Sequence, residues 1–221
     1  MRTTDPSPFV RLSRRRLLDG ALACAALTGL GGVMPALAAL APTPRQGEGP
    51  FYPVSLPLDA DNDLVRVQGM AAAAQGTVTH VLGRVLDSSG RPVTGARVEI
   101  WQCDNNGRYH HPGDRNNAPL DDAFQGFGAM VTHDDGAYRF RTIRPVPYPG
   151  RTPHIHFAVL APGRGRFVTQ MYVAGEPGNA RDRLLNSIRD PQARARLIVA
   201  LEPAPAIEAG ALAAQFDIVL G

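Results

Sequence analysis

The chain has 221 residues, enough for one moderate domain with additional segments. All 23 of its basic residues are Arg, against 20 acidic ones; a lysine Schiff base and a P-loop lysine are therefore excluded. Five Arg (2, 11, 14, 15, 16) and two Asp (5, 19) fall in the first 38 residues, leaving 18 charges of each sign beyond them. The basic balance belongs to that leader, so no nucleic-acid partner is expected.

Residues 1–38 read as a twin-arginine export signal. Ser13-Arg14-Arg15-Arg16-Leu17-Leu18 precedes an apolar run from Ala21 to Val33, and Ala36-Leu37-Ala38 offers a cleavage site after Ala38. The run is shorter than the roughly 20 apolar residues of a membrane-spanning helix. No stable membrane anchor is expected, and the protein is expected to be periplasmic or secreted; an N-terminal anchor or a buried helix is the competing reading. Cys24 lies in the signal and leaves Cys103 without an intramolecular disulfide partner.

Residues 39–75 form a Pro-rich arm with little periodicity, including Gly47-Glu48-Gly49-Pro50-Phe51-Tyr52-Pro53. It is expected to wrap over the core, with Tyr52 reaching the pocket. Asp59, Asp61 and Asp63 have the start of a calcium-loop spacing, but neither the required Gly nor a closing Glu follows, so a solvated turn is expected.

Residues 76–221 are the expected core. Thr77–Leu86 is β-branched and partly alternating, and Arg97–Gln102, Ala137–Thr142, His154–Leu160, Phe167–Val173, Ala195–Leu201 and Ala213–Leu220 are further strands. Short strands between Gly, Pro and Asn turns predict an all-β sandwich of mostly antiparallel strands with long loops. One short helix fits near Arg181–Ser187, ended by Asp190-Pro191.

Within this pattern His154-Ile155-His156 carries the chemistry. Alternate side chains of a strand share a face, so His154 and His156 can reach one metal while Ile155 packs on the other side. Tyr148 lies six residues before His154, and Tyr109 further upstream. Phenolate oxygen with neutral imidazole suits a hard, oxygen-seeking ferric ion. The other four histidines, His80, His110, His111 and His133, read as ordinary surface residues, and Trp101 as core.

These motifs, in order, resemble the intradiol ring-cleavage dioxygenases, and among them the protocatechuate 3,4-dioxygenase β-chain type. The resemblance runs from Glu48-Gly49-Pro50-Phe51-Tyr52-Pro53 through Gly95–Gln102, Gly107-Arg108-Tyr109, Tyr138–Ile143, Pro147-Tyr148-Pro149, Arg151–Phe157 and Thr169-Gln170-Met171-Tyr172. It covers roughly residues 46–220. It implies Fe(III) held by Tyr109, Tyr148, His154 and His156 with a hydroxide or water, and a catechol-type substrate cleaved by O2 to a cis,cis-muconate-type acid. It implies that Tyr148 also handles a proton, that Arg151 stabilises charge developing on the ring, and that Gln170 hydrogen-bonds near the substrate or a ligand. It also implies assembly, either as a homo-oligomer or with a second related subunit. Relatives of this kind carry a longer loop between the Tyr148 and His154 positions, often with a bulky aromatic; Gly150 supplies none, so a more open pocket is expected. The long helical N-terminal region of the catechol and hydroxyquinol enzymes is not seen.

Two other readings use the same residues. One is a non-catalytic β-sandwich binding module of the transthyretin or carboxypeptidase-regulatory type. The other is a structural zinc site on the His pair, against which the two tyrosines speak, since zinc favours Cys, His and carboxylate.

Overall fold

The computed structural model describes residues 39–57 and 59–221. The export signal, its cleavage after Ala38 and Cys24 lie outside the described residues. Two five-stranded sheets enclose one main core.

The first sheet centres on β1 (Val78–Asp87). Antiparallel β4 (Ala137–Ile143) pairs with it through Val81↔Phe140. Parallel β9 (Leu212–Gln215) pairs with its first half and parallel β10 (Ile218–Leu220) with its end, while β8 (Glu202–Pro203) joins β9. The second sheet runs β3 (Phe127–Val131), β2 (Arg97–Trp101), β5 (His154–Leu160), β6 (Phe167–Val173) and β7 (Ile198–Val199). Five of the eight strand pairings among the described residues are antiparallel. The sandwich is therefore as expected, with mixed rather than uniform sheets.

Period-two patterning builds the core. Val81 and Val85 of β1, Tyr138 and Phe140 of β4, Val98 and Ile100 of β2, and Ile155, Phe157 and Val159 of β5 are all buried in it. Gly83 marks a crossing: a Cβ there would lie 2.0 Å from the carbonyl oxygen of Phe216. That carbonyl also accepts the Tyr138 hydroxyl. The crossing splits the expected Ala213–Leu220 strand into β9 and β10.

Three expectations need correction. β3 carries no alternation and was not foreseen. Its Gly128 lies under the arm, where a Cβ would meet Leu64 Cδ1 and the Asp61 carbonyl at 2.5 Å. The expected Ala195–Leu201 strand shrinks to β7, because residues before it are helical. Asp190-Pro191 starts a helix instead of stopping one. The first helix, α1 (Arg183–Asn186), is capped by Asp182, whereas α2 (Pro191–Ala195) has Asp190 as its cap and Pro191 in its first turn. Proline fits there because its missing N–H would be unpaired in any case.

The arm enters the fold. Leu64 and Val65 are buried in the main core, and Leu64 exchanges backbone bonds with Arg141 and Gln125. The carboxylates of the acidic turn are held by protein donors: Asp61 accepts from Asp63 N, Asp63 from Val65 N and the Arg141 guanidinium, and Asp59 from Gln68 N. Among the described residues no helix is long and apolar enough to cross a membrane.

Candidate metal centre

The site is built on the outer face of the second sheet. Trp101 of β2 stands opposite His156 of β5, which stands opposite Gln170 of β6; His154 stands opposite Tyr172. Directly opposed residues share a face, so these five side chains form one patch. Ile155 points the other way and is fully buried in the main core. On an ordinary sandwich this outer face would meet water. Here every residue of β5 but Leu160 is buried, because the arm and the segment carrying Tyr109 cover it. Phe51, Tyr52, Tyr109 and Tyr148 pack with Trp101 in a second apolar cluster.

Two close approaches hold the cover down. Gly49 has φ +77°, and a Cβ there would come within 3.3 Å of His156 Cε1. Gly107, at φ +74°, lies so close to the Tyr148 segment that a Cβ would meet the Pro147 carbonyl at 2.9 Å. Glycine accepts both constraints, having no Cβ to strain or to clash.

All four expected metal ligands converge. The Nε2 atoms of His154 and His156 face each other at 3.1 Å. The rings of Tyr109 and Tyr148 lie 5.3 Å apart, Tyr148 is 5.4 Å from His154, and Tyr109 is 6.3 Å from His156, each between centroids. His154 Nδ1 sits 2.7 Å from the Thr152 carbonyl oxygen. A carbonyl only accepts, so Nδ1 carries the proton and Nε2 presents a lone pair. His156 Nδ1 and the Tyr109 hydroxyl are buried without a hydrogen-bond partner. Buried polar atoms are normally satisfied, and orphans of this kind call for an explanation.

Electrostatics sharpen the pattern. Burial, with the nearby Arg151 charge, pushes His154 down to about 3. Burial and His154 hold His156 well below the ordinary imidazole range. Both rings are therefore neutral donors at pH 7. Burial pushes Tyr109 well above the ordinary phenol range and raises Tyr148 as well, the latter opposed by Arg151. In this cluster only a cation can offset the cost of a buried phenolate.

The donor set fits a metal ion. Two nitrogens 3.1 Å apart have the separation of adjacent ligands on one ion with bonds of about 2 Å. Among the described residues no three His, Cys, Asp or Glu side chains group as a metal site, so tyrosine oxygen must complete this one. That favours a hard trivalent ion over zinc.

Arg151 also reaches the cluster. It is half-buried, and its guanidinium donates from Nε to Asp182 (2.8 Å), from Nη1 to the Tyr148 hydroxyl (3.3 Å), and from Nη2 to Gln170 Oε1 (2.6 Å) and the Tyr172 hydroxyl (3.2 Å). Gln170 in turn donates to the Gly47 carbonyl of the arm at 3.1 Å. A cavity of about 420 Å3 adjoins Arg151, walled in part by Pro147, Gly150, Pro153 and Arg181. Gly150 adds no side chain to it.

Trp101 is buried as expected, and it also stacks on His156 at 4.8 Å with rings 9° from parallel. Tyr52 does not take the place expected of it. Its hydroxyl donates to Glu99 and its ring packs edge-on against Trp101. Phe51 is the arm residue at the tyrosine pair, stacked on Tyr109 at 4.5 Å and edge-on to Tyr148. Sequence reasoning missed Asp182, Tyr172 and Gln46 as site neighbours. Tyr172 was within reach of the same period-two logic, two residues beyond Gln170. Its hydroxyl bonds Gln46 Oε1 at 2.9 Å.

Comparison with known proteins identifies the family. A family model described as Dioxygenase matches residues 47–221. The protocatechuate 3,4-dioxygenase β chain of Burkholderia cepacia is 41% identical over 168 residues, which are 72% of this chain and 71% of that protein. A hydroxyquinol 1,2-dioxygenase of Corynebacterium glutamicum is 35% identical over 147 residues, and the match spans only 45% of its length. Among solved structures, the dioxygenase domain of a carbohydrate-binding fusion protein from Streptomyces sp. SirexAA-E superposes with a TM-score of 0.63 at 34% identity. That alignment covers 81% of this chain and 98% of that one.

Proposed function

The chain belongs to the intradiol ring-cleavage dioxygenase family, and from that premise we propose that it is a ferric enzyme inserting both atoms of O2 between the hydroxylated carbons of a catechol. The product is a cis,cis-muconate-type dicarboxylic acid, and no external reductant is consumed. The observation that carries the reading is the pair of Nε2 atoms at 3.1 Å beside the unpartnered Tyr109 hydroxyl. Family membership sets aside the non-catalytic binding module.

Tyr109, Tyr148, His154 and His156 would hold the iron. When bound, the metal would supply Lewis acidity that makes the ring of a catechol substrate open to O2. The protein does the rest. Thr152 fixes the His154 tautomer, and Trp101 fixes the plane of the His156 ring. Tyr148, hydrogen-bonded to Arg151, is placed to accept a proton from a substrate hydroxyl. Arg151 offers a fixed positive charge to the electron density that accumulates on the ring, and Gln170 keeps the guanidinium in register. The cavity beside Arg151 supports access for a ring substituent, and the missing wall at Gly150 supports tolerance of several catechols over one carboxylated substrate.

Oxygen uptake against a panel of catechols, with product mass recorded, tests the reading. A mass gain of two oxygen atoms and a red, iron-dependent tyrosinate absorption are expected. Quinone formation, or a colourless iron-replete protein, would overturn it. Residues 1–38 are proposed to direct export by the twin-arginine route, which N-terminal sequencing of the exported protein checks. Similarity to a protein named a β chain supports self-association or a second related subunit, measurable by light scattering.

A further inference from the structure

Asp182 is buried, at 2% exposure, and splits its carboxylate between two tasks. Oδ1 accepts from the backbone N–H groups of Leu184 and Leu185 and caps α1. Oδ2 accepts from Arg151 Nε at 2.8 Å and from the Thr152 backbone N–H at 3.1 Å. It is the only carboxylate paired with Arg151 among the described residues. Thr152 is the residue whose carbonyl fixes the His154 ring. The same segment grips Thr152 twice more. Its hydroxyl bonds Asn179 Oδ1 at 2.9 Å, and Gly178 lies so near that a Cβ would meet Thr152 Oγ1 at 2.8 Å.

We propose that Asp182 is a positioning residue of the metal centre: through one buried oxygen it sets both the Arg151 guanidinium and, by way of Thr152, the orientation of the His154 ligand. This rests on the reading that His154 and its three partners hold iron. Of the four acceptors on Arg151, Asp182 alone is a carboxylate, so it makes the one bond between two charged groups. Both of its oxygens are engaged by donors. An amide in its place offers one acceptor oxygen and one donor, so either the helix cap or the site loses its bonds.

The test compares Asp182→Asn with Leu185→Ala. Leu185 is buried in the main core on the same helix and touches neither Arg151 nor Thr152 through its side-chain hydrogen bonds, having none. Leu185→Ala therefore reports a loosened α1 without a direct loss at the site. Affinity for added iron, by chelator competition, is expected to fall 10- to 100-fold in Asp182→Asn. It should stay within about threefold in Leu185→Ala even where that variant loses more Tm. In the metal-free chain, 15N shifts of His154 should move from a fixed Nδ1–H tautomer toward a mixture in Asp182→Asn alone. With a catechol that the native chain turns over, kcat should fall with the affinity.

Native iron affinity and an unmoved His154 tautomer in Asp182→Asn would overturn the proposal, as would equal losses in Leu185→Ala at equal loss of Tm. If the native chain binds iron but cleaves no catechol, the reaction assigned above fails while the affinity comparison still decides this inference. If it binds no iron, the tautomer comparison decides it.

Discussion

The two sheets each carry buried histidine on an outer face, and the two faces differ in how those rings are satisfied. On the first sheet, His80 is 1% exposed and fully partnered. Its Nδ1 lies 3.1 Å from Arg139 Nη2 and its Nε2 3.0 Å from Glu208 Oε2. Arginine only donates, so Nδ1 accepts and Nε2–H donates to the carboxylate. Glu208 also takes two bonds from Arg141, which pairs with Asp63 of the arm. On the second sheet, His154 and His156 turn their Nε2 atoms on each other, and His156 Nδ1 has no partner. His80, His154 and His156 are each 1% exposed, so burial does not separate them. The partner of Nε2 does: in His80 it is a carboxylate, whereas in His154 and His156 it is only the other ring, beside two phenols.

The largest expected effect breaks the comparison at the ligand side. His156→Ala should lower kcat by about 10³-fold or more, equivalent to about 4 kcal/mol, and abolish the iron-dependent visible band. Steady-state O2 uptake and absorption spectra measure both. His80→Ala should do the opposite. It removes a buried partner from Glu208 and from Arg139, costing about 2 kcal/mol or roughly 4–8 °C in Tm, while turnover stays within about threefold. Calorimetry beside an activity assay reads the two together, and a large loss of turnover in His80→Ala would erase the distinction between the faces.

A smaller effect concerns the cover. Gly49→Ala adds a Cβ 3.3 Å from His156 at a φ of +77°. About 1–2 kcal/mol of destabilisation is expected, with roughly tenfold lower kcat/KM from displacement of the ring. An unchanged kcat/KM would mean that the arm does not seat the ligand.

The smallest effect is a pH dependence at the structural histidine. Bonding to Arg141 first, and its charge, hold Glu208 at about 2 against an ordinary 4.5. Its contribution is fully present above pH 4.5 and is lost as pH falls towards 2. Burial holds His80 below 6.5, so the unfolded chain takes up a proton first as pH falls, and stability declines in the same direction. The stability difference between the native chain and Glu208→Gln should be greatest near pH 7, at no more than about 1 kcal/mol for a carboxylate this exposed, and should shrink below pH 4.5. A difference that grew on acidification would contradict the lowered Glu208 carboxyl.

Much of this was legible in the chain itself. Period-two patterning placed β1, β2, β4, β5 and β6 and put His154 and His156 on one face with Ile155 on the other. The donor chemistry of two tyrosines and two histidines pointed to a hard cation before any distance was known. Local grammar failed where one residue type serves two ends of an element: Asp190-Pro191 has the composition of a stop, but an acidic cap followed by proline equally opens a helix.

His80, expected at the surface, is instead buried, and only the tertiary structure shows why, because hydrogen-bond partners such as Glu208, 128 residues away, cannot be read from local sequence. Only it placed Phe51 and not Tyr52 against the tyrosines, since adjacent residues leave the backbone in different directions. Only it joined Asp182 to Arg151 across 31 positions. The sequence determined what each residue could donate or accept and which face of a strand it would occupy; folding decided which donors found acceptors and brought Tyr109, Tyr148, His154 and His156 together.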